Sequence, residues 1–307
     1  MSAKPERVPR GRPGALTSVL WSVGLPFWII SLGMTYLGIV LAGKALLPPW
    51  QGALALVAAG PMLTGATCLY NDMIDRRADH HNPRKQNSAL RSNRLRPSEA
   101  MRGARALAIG CVLLGALVNA EVLLLLVAAL LLSFLYSNPG ARLKSRPPAD
   151  VLVNVIGIGA LLPLIGWASL RPLATFPWQF LPTTLLGIGG LYLLTLAADL
   201  PADSRAGIRS TAVWLGPTTT LRGAVVAVAS TGAALILVSH RWPNDPLQPQ
   251  LLDAFWPMFV VQLAAMGVLL RQATARTVMT TIVFLGAVYI LGVGSFVVLS
   301  GSSLLGG

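Results

Sequence analysis

The feature that most constrains this chain is a succession of long apolar runs. Nine of them, each roughly 16 to 27 residues long, follow one another at approximately 17–43, 50–70, 104–119, 121–137, 151–169, 180–198, 220–240, 255–270 and 278–300. A lipid bilayer core of about 30 Å requires roughly 20 apolar residues in helical form. Only 11% of the 307 residues are charged, less than half of the roughly 25% usual in soluble proteins. We therefore predict an all-α, polytopic membrane protein with nine transmembrane helices.

The N-terminal residues differ from the rest of the chain. Residues 1–14 are polar and basic, and we predict that they form a cytoplasmic tail. The apolar run that follows is too long for the core of a signal peptide, which favours a first membrane helix. Residues 15–307 then form a single transmembrane domain.

The third and fourth runs are nearly continuous, because only Asn119 and Glu121 interrupt the apolar residues between 107 and 136. One helix of this length would extend about 45 Å, which is too long for a bilayer without strong tilt. We predict a tight hairpin at Asn119-Ala120-Glu121 instead.

The distribution of basic residues supports nine helices. With nine spans, 21 of the 24 Lys and Arg residues lie on one side of the membrane; fusing the third and fourth helices would give 15 against 9. Positive residues accumulate on the cytoplasmic side, so we predict a cell (inner) membrane protein with a cytoplasmic N-terminus and an external C-terminus. Because the formal charge of +13 faces the membrane surface, it does not indicate nucleic-acid binding.

Five of the eleven acidic residues form two clusters at the predicted cytoplasmic ends of helices. Asp72, Asp75 and Asp79 end the second helix, and on a helical projection they lie within about 60° of one another. Asp199 and Asp203 end the sixth helix, about 40° apart if that helix continues through them. Negative charge at a helix C-terminus opposes the macrodipole, so solvation alone is an awkward explanation for these clusters. Oxygen ligands without nearby His or Cys favour Mg²⁺.

Basic and hydroxyl side chains follow the same helix ends. They include the diphosphate-binding candidates Arg84, Lys85, Tyr136, Arg142, Lys144 and Arg205. Metal-binding carboxylates beside cations and a tyrosine hydroxyl suit a diphosphate, whose charge the metal and the cations neutralise. The alternative for the basic loop as a whole is attraction to anionic lipid.

Three segments resemble motifs of the UbiA superfamily of intramembrane prenyltransferases. They are NDxxDxxxD at 71–79, YSNPGARLK at 136–144, and DLPADSRAGIRSTAVWLG at 199–216. The resemblance extends from about residue 15 to residue 300. It implies a helical bundle around a central cavity that opens to lipid and carries a cytoplasmic cap.

The resemblance also implies roles for individual residues. Asp72, Asp75, Asp199 and Asp203 would be catalytic, and Mg²⁺ would be bound by Asn71, Asp72, Asp75, Asp79, Asp199 and Asp203. Prenyl diphosphate would contact Lys144, Arg142 and Tyr136, with Arg205 beside the second motif. Asn154 would line the cavity or form an interhelical hydrogen bond.

The implied reaction is Mg²⁺-dependent ionisation of an allylic polyprenyl diphosphate, followed by prenyl transfer to a hydrophobic acceptor. The Asn-Pro-Arg-Lys run at 82–85 is more similar to the branch with lycopene elongases and isoprenoid-lipid enzymes than to aromatic prenyltransferases. The acceptor therefore stays open among aromatic, isoprenoid and lipid molecules. Prenyl chain length and oligomeric state are also open.

Two other functions are compatible with parts of the pattern. A class I terpene cyclase would use the same ionising site, with a double bond of the substrate itself as the nucleophile. A membrane transporter would place ionisable residues near the bilayer midplane, whereas these acids lie at helix ends. Small residues at Gly157, Gly159, Gly187, Gly189 and Gly190 either allow close helix packing or leave room for a hydrophobic tail.

Overall fold

The computed structural model of the protein describes residues 22–43, 47–76, 89–90, 93–241, 248–272 and 274–299. Within these ranges the chain is helical, apart from turns and short connections. The all-α prediction is confirmed, because every regular element of the described residues is a helix, the form in which a chain in lipid satisfies its backbone polar groups internally.

The long helices are labelled in chain order. They are α1 Leu25–Gly43, α2 Trp50–Ile74, α3 Pro97–Val118, α4 Ala120–Ser137, α5 Ala149–Ala168, α6 Leu181–Ala206, α7 Pro217–Arg241, α8 Gln248–Arg271 and α9 Ala275–Leu299. A short helix, Thr211–Leu215, lies between α6 and α7. Eight of these, α2 to α9, contain segments long and apolar enough to cross a membrane. The apolar part of α1 in the described residues, Phe27–Gly43, is shorter, so the count of nine spans stays a prediction.

The predicted break between the third and fourth helices is confirmed. Asn119 is extended (φ −173°, ψ 174°) and separates α3 from α4. Its side-chain oxygen accepts a hydrogen bond from Val122 N at 2.9 Å, and its amide donates to Ala168 O at 2.7 Å. An asparagine thus caps α4 and ties it to the end of α5.

Two helices contain π-helical turns, at Ala58–Thr64 in α2 and Val155–Leu161 in α5. The bundle is held by pairs of helices: α1 packs on α5, α2 on α3, α6 on α7, and α8 on α9. Further contacts of α2 with α4, of α4 with α5 and of α5 with α6 bring the C-terminal ends of α2, α4 and α6 and the N-terminal end of α5 to one end of the bundle, where the candidate site lies.

Candidate active site

The first acidic motif lies where α2 stops. The helix ends at Ile74, and Asp75 already has a non-helical backbone (φ −89°, ψ 4°). The helical projection therefore holds for Asp72, and the grouping with Asp79 stays a prediction. Asp72 and Asp75 are buried, with 5% and 6% exposure. Three predicted residues of this region, Asp79, Arg84 and Lys85, lie outside the described residues.

The YSNPGARLK segment packs directly on this motif. Ser137 Oγ donates to Asn71 Oδ1 at 2.9 Å, and the buried Lys144 donates from Nζ to Asn71 Oδ1 at 3.1 Å. Lys144 also forms a hydrogen-bonded ion pair with Asp75 Oδ2. Arg142 Nη2 lies 3.8 Å from the other oxygen, Asp75 Oδ1. The two segments are thus in direct contact.

A tight turn aims the two cations at Asp75. Arg142 adopts a left-handed conformation (φ 42°, ψ 51°), and its N–H donates to Asn138 O at 2.6 Å. Asn138 Oδ1 in turn accepts from Gly140 N at 2.9 Å. A left-handed backbone costs a non-glycine residue about 1–2 kcal/mol, and such positions concentrate at functional sites. The turn directs both Arg142 and Lys144 back onto α2.

The segment with the second acidic motif is helical throughout. This is the condition under which Asp199 and Asp203 lie about 40° apart. Helix α6 continues through Pro201 to Ala206 and ends at Gly207, whose φ of +67° suits glycine. The charges of Lys144 and Asp199 both act on Asp203: the ammonium attracts this carboxylate, and Asp199 repels it. Arg205 is exposed and lies about 200° around the helix from Asp203, so its contact with diphosphate stays a prediction.

Sequence reasoning missed two residues of this region. Tyr192 shares a 2.6 Å hydrogen bond with Tyr136 through the two hydroxyls, and Asp150 is completely buried at the start of α5. Tyr192 precedes Asp199 by seven residues, which places both on one face of α6; that spacing was the available signal. Asp150 carried only the weak signal of an acid in the first turn of an apolar helix.

Asn154 lies beside this tyrosine pair. Its amide donates to Asp150 O within the same helix at 2.9 Å, and the Asn154 side chain interacts with the Tyr136 hydroxyl. Asn154 thus neighbours Tyr136 of α4, and the interhelical hydrogen bond stays a prediction.

A cavity of about 280 Å³ lies deeper in the bundle. It is lined by α1, α6, α7, α8 and α9, and Asn154 is not among its lining residues. Along the start of α6 the lining runs from Phe180, the residue before the helix, to Leu191. Since a helix rises 1.5 Å per residue, the cavity begins about 12 Å from the level of Asp199. Its walls are mainly apolar, with Tyr36, Thr183 and Gln262 among the polar exceptions.

The donor set of the site consists of oxygen atoms. In the part of the chain that the structure describes, no three His, Cys, Asp or Glu side chains gather as a metal-binding group. The described carboxylates instead form two pairs, Asp72 with Asp75 and Asp199 with Asp203, and Lys144 interacts with both pairs.

Comparison with known proteins decides the family. The sequence profile of the UbiA prenyltransferase family matches residues 31–265. The chain belongs to the UbiA prenyltransferase family. It is 27% identical to 4-hydroxybenzoate octaprenyltransferase of Salmonella paratyphi B over 232 residues, 75% of this chain and 72% of that protein. The same identity and coverage hold for the enzyme of Salmonella newport.

Solved UbiA structures share the fold. A UbiA homologue from Archaeoglobus fulgidus bound to GPP and Mg²⁺ superposes with a TM-score of 0.70 at 17% identity, covering 92% of this chain and 99% of that one. The apo homologue from Aeropyrum pernix K1 gives 0.71 at 20% identity, covering 89% and 97%. This UbiA protein is therefore an intramembrane prenyltransferase, and the recognition made from its three motifs is confirmed.

Proposed function

We propose that this UbiA protein ionises an allylic polyprenyl diphosphate in an Mg²⁺-dependent reaction and transfers the prenyl group to a hydrophobic acceptor. The observation that carries the proposal is the position of Lys144. Its buried ammonium bonds Asn71 and Asp75 and attracts Asp203. Lys144 thus joins its own segment to the first acidic motif by direct hydrogen bonds, and its charge also acts on Asp203 of the second motif.

The residues present fit Mg²⁺. The metal prefers oxygen ligands and usually takes one or two carboxylates, with substrate phosphates and water completing its shell, which suits two carboxylate pairs. Asp75 Oδ1 is buried and has no hydrogen-bond donor in the described part of the chain. Asn71, Asp72, Asp75, Asp199 and Asp203 would hold the metal, with Asp79 as a further predicted ligand. The homologue with bound GPP and Mg²⁺ supports this assignment.

The bound metal would neutralise charge on the departing diphosphate. The chain adds its own positive charge through Lys144, only 7% exposed, and Arg142. Charges act more strongly in such a water-poor environment than at the surface, so these cations favour cleavage of the C1–O bond over ground-state binding. Arg84, Lys85 and Arg205 stay predictions as further diphosphate contacts.

The prenyl chain needs an environment without water, because its allylic cation reacts with any nucleophile. The bonded tyrosines Tyr136 and Tyr192 lie between the carboxylates and the deeper part of the bundle. Tyr192 adjoins Leu191, where the lining of the apolar cavity begins. We propose that the tail of the prenyl chain occupies this cavity while its diphosphate end stays at Lys144.

The first prediction is that D72N and D199N lose turnover by about 10²–10³-fold or more, the range for removing one electrostatic stabiliser from an active site. Detergent-purified protein is incubated with Mg²⁺, prenyl diphosphates of several lengths, and lipid extract as the source of acceptor. Diphosphate release and prenylated product are measured, and EDTA should abolish both reversibly.

The matched control is D253N, which removes an exposed acid of α8 and should leave turnover unchanged. Full activity of D72N or D199N would contradict the two-motif metal site. A cyclised hydrocarbon formed without any acceptor would identify a terpene cyclase instead of a transferase.

The predicted topology belongs to the same proposal, since the diphosphate must reach the site from the cytoplasm. Single cysteines at the exposed positions Arg146, Arg205 and Arg171 are introduced after Cys68 and Cys111 are replaced by alanine. In intact cells, an impermeant maleimide should label only the cysteine at 171. Labelling of 146 or 205 from outside would overturn the orientation.

A further inference from the structure

Asp150 is the most deeply buried acid among the described residues, with no exposed surface. Its Oδ2 accepts a hydrogen bond from Thr211 N at 2.6 Å, and its Oδ1 accepts one from the Thr211 hydroxyl. These bonds join the first turn of α5 to the start of the short helix after α6. Asp150 therefore fixes a residue 61 positions away.

The turn that Asp150 holds is attached to the second acidic motif. After Gly207 the chain folds back, and Ile208 N donates to Asp203 O at 2.9 Å. The backbone of Asp203 is thus bonded to a turn whose other end is bonded to Asp150. Because only a few residues separate Asp203 from Thr211, a displacement of Thr211 would move the backbone at Asp203 and, with it, the Asp203 carboxylate.

Among the residues that the structure describes, no Lys or Arg nitrogen lies within ion-pair distance of the Asp150 carboxylate. Its electrostatic neighbours are Tyr136, Tyr192 and Asp203. A buried, unpaired carboxylate is costly. A cation bound at Asp203 would offset this cost, because Asp150 would then attract it.

We propose that Asp150 is a positioning residue for the second carboxylate pair, which it supports through the Thr211 turn and through its buried negative charge. The inference rests on the proposed function, because it takes Asp199 and Asp203 to bind Mg²⁺ with diphosphate. It assigns Asp150 an effect on cation affinity without direct contact with the metal or the substrate. Groups that support metal ligands in this way typically contribute 10- to 100-fold to metal affinity.

The test measures thermal stabilisation of the full-length, detergent-purified protein by Mg²⁺ with inorganic diphosphate, which needs no acceptor. A ligand that binds only the folded state stabilises it by RT ln(1 + [L]/Kd), so the unfolding temperature rises with the ligand concentration relative to Kd. For D150N we expect the Mg²⁺ concentration that produces a given rise in unfolding temperature to increase about 10- to 100-fold. Turnover should recover at saturating Mg²⁺, since Asn keeps the shape and one acceptor oxygen.

Two further variants separate the bond from the charge. T211V removes the hydroxyl bond but leaves Asp150 charged, so its Mg²⁺ shift should be smaller than that of D150N, while T211S should behave as the unmodified protein. E121Q is the matched control, because Glu121 also accepts a backbone N–H, from Leu173 at 2.8 Å, far from the carboxylate pairs. E121Q should leave the Mg²⁺ dependence unchanged.

The outcomes distinguish the two proposals. If the unmodified protein shows no Mg²⁺-dependent stabilisation, the proposed function itself fails. If it does, but D150N keeps the same Mg²⁺ dependence, with or without a lower unfolding temperature, Asp150 is only structural and the inference is overturned. If D150N does not fold, T211V replaces it in the test. A T211V protein that is less stable but keeps the Mg²⁺ dependence of the unmodified protein also overturns the inference.

Discussion

Glycine has opposite roles in two parts of the bundle. Where α1 crosses α5, a Cβ on Gly38 would collide with the backbone of Pro163 and Trp167, and one on Gly166 with the backbone of Thr35 and Ile39. Around the cavity, by contrast, a Cβ on Gly33, Gly286 or Gly294 would meet no heavy atom within 4 Å. Glycine thus allows the backbones of α1 and α5 to touch, whereas around the cavity it leaves open space.

The difference has a physical cause. Lipid tails are as apolar as leucine, so membrane helices gain little from burying apolar side chains and instead associate where their backbones approach closely. The α1–α5 crossing uses this mode of packing. The glycines in the cavity walls make no such close backbone contacts, and the space that remains suits a region that must admit a hydrophobic substrate.

The structure also assigns a role to most of the glycines for which the sequence allowed either close helix packing or open space. Gly159 and Gly190 have backbone atoms of neighbouring helices at 3.1 Å from a Cβ position, so they serve close packing. Gly187 lines the cavity, and Gly157 has open space around it. Gly189 makes an ordinary contact with Val155.

The largest effect is expected at the packed crossing. G38A forces α1 away from α5, because the colliding atoms are backbone and cannot rotate aside; we expect a loss of about 1–3 kcal/mol or more in stability. Thermal unfolding in detergent measures it. G33A, on the same helix, is the control and should keep the unfolding temperature. Equal losses in the two variants would remove the distinction between the two regions.

A smaller and different effect is expected at the cavity. A Cβ on Gly232 would displace the Phe259 ring, a side chain that lines the cavity and can move into it. G232A should therefore lower kcat/KM for the longest accepted prenyl diphosphate by about tenfold or more, the effect of small volume changes in an apolar pocket. Short prenyl diphosphates should be affected less.

The control for G232A is G267A, an exposed position of α8 with open space around it. G267A should leave the dependence of kcat/KM on prenyl chain length unchanged. F259A should shift that dependence in the opposite direction, toward longer chains. A parallel loss for all chain lengths in G232A would place the prenyl tail outside this cavity.

Much of the site was predictable because its residues stand in local patterns. Asp72, Asp199 and Asp203 were identifiable as rare acids at the ends of apolar helices, and Lys144 belonged to a recognisable segment. Tyr192 and Asp150 were missed, since the only local signals were the seven-residue spacing of Tyr192 from Asp199 and the position of Asp150 in a first helical turn, and neither indicates a partner. Their partners, Tyr136 and Thr211, are 56 and 61 residues away.

The sequence by itself determined the helices, the break at Asn119 and the chemistry of the acidic clusters. These depend on apolar length and on hydrogen bonds within a helix, which neighbouring residues decide. Only the tertiary structure decided that Lys144 bonds Asp75, that Asp150 holds Thr211, and which glycines close an interface. Such contacts depend on how helices distant in sequence are placed against one another, and no local pattern of residues specifies that placement.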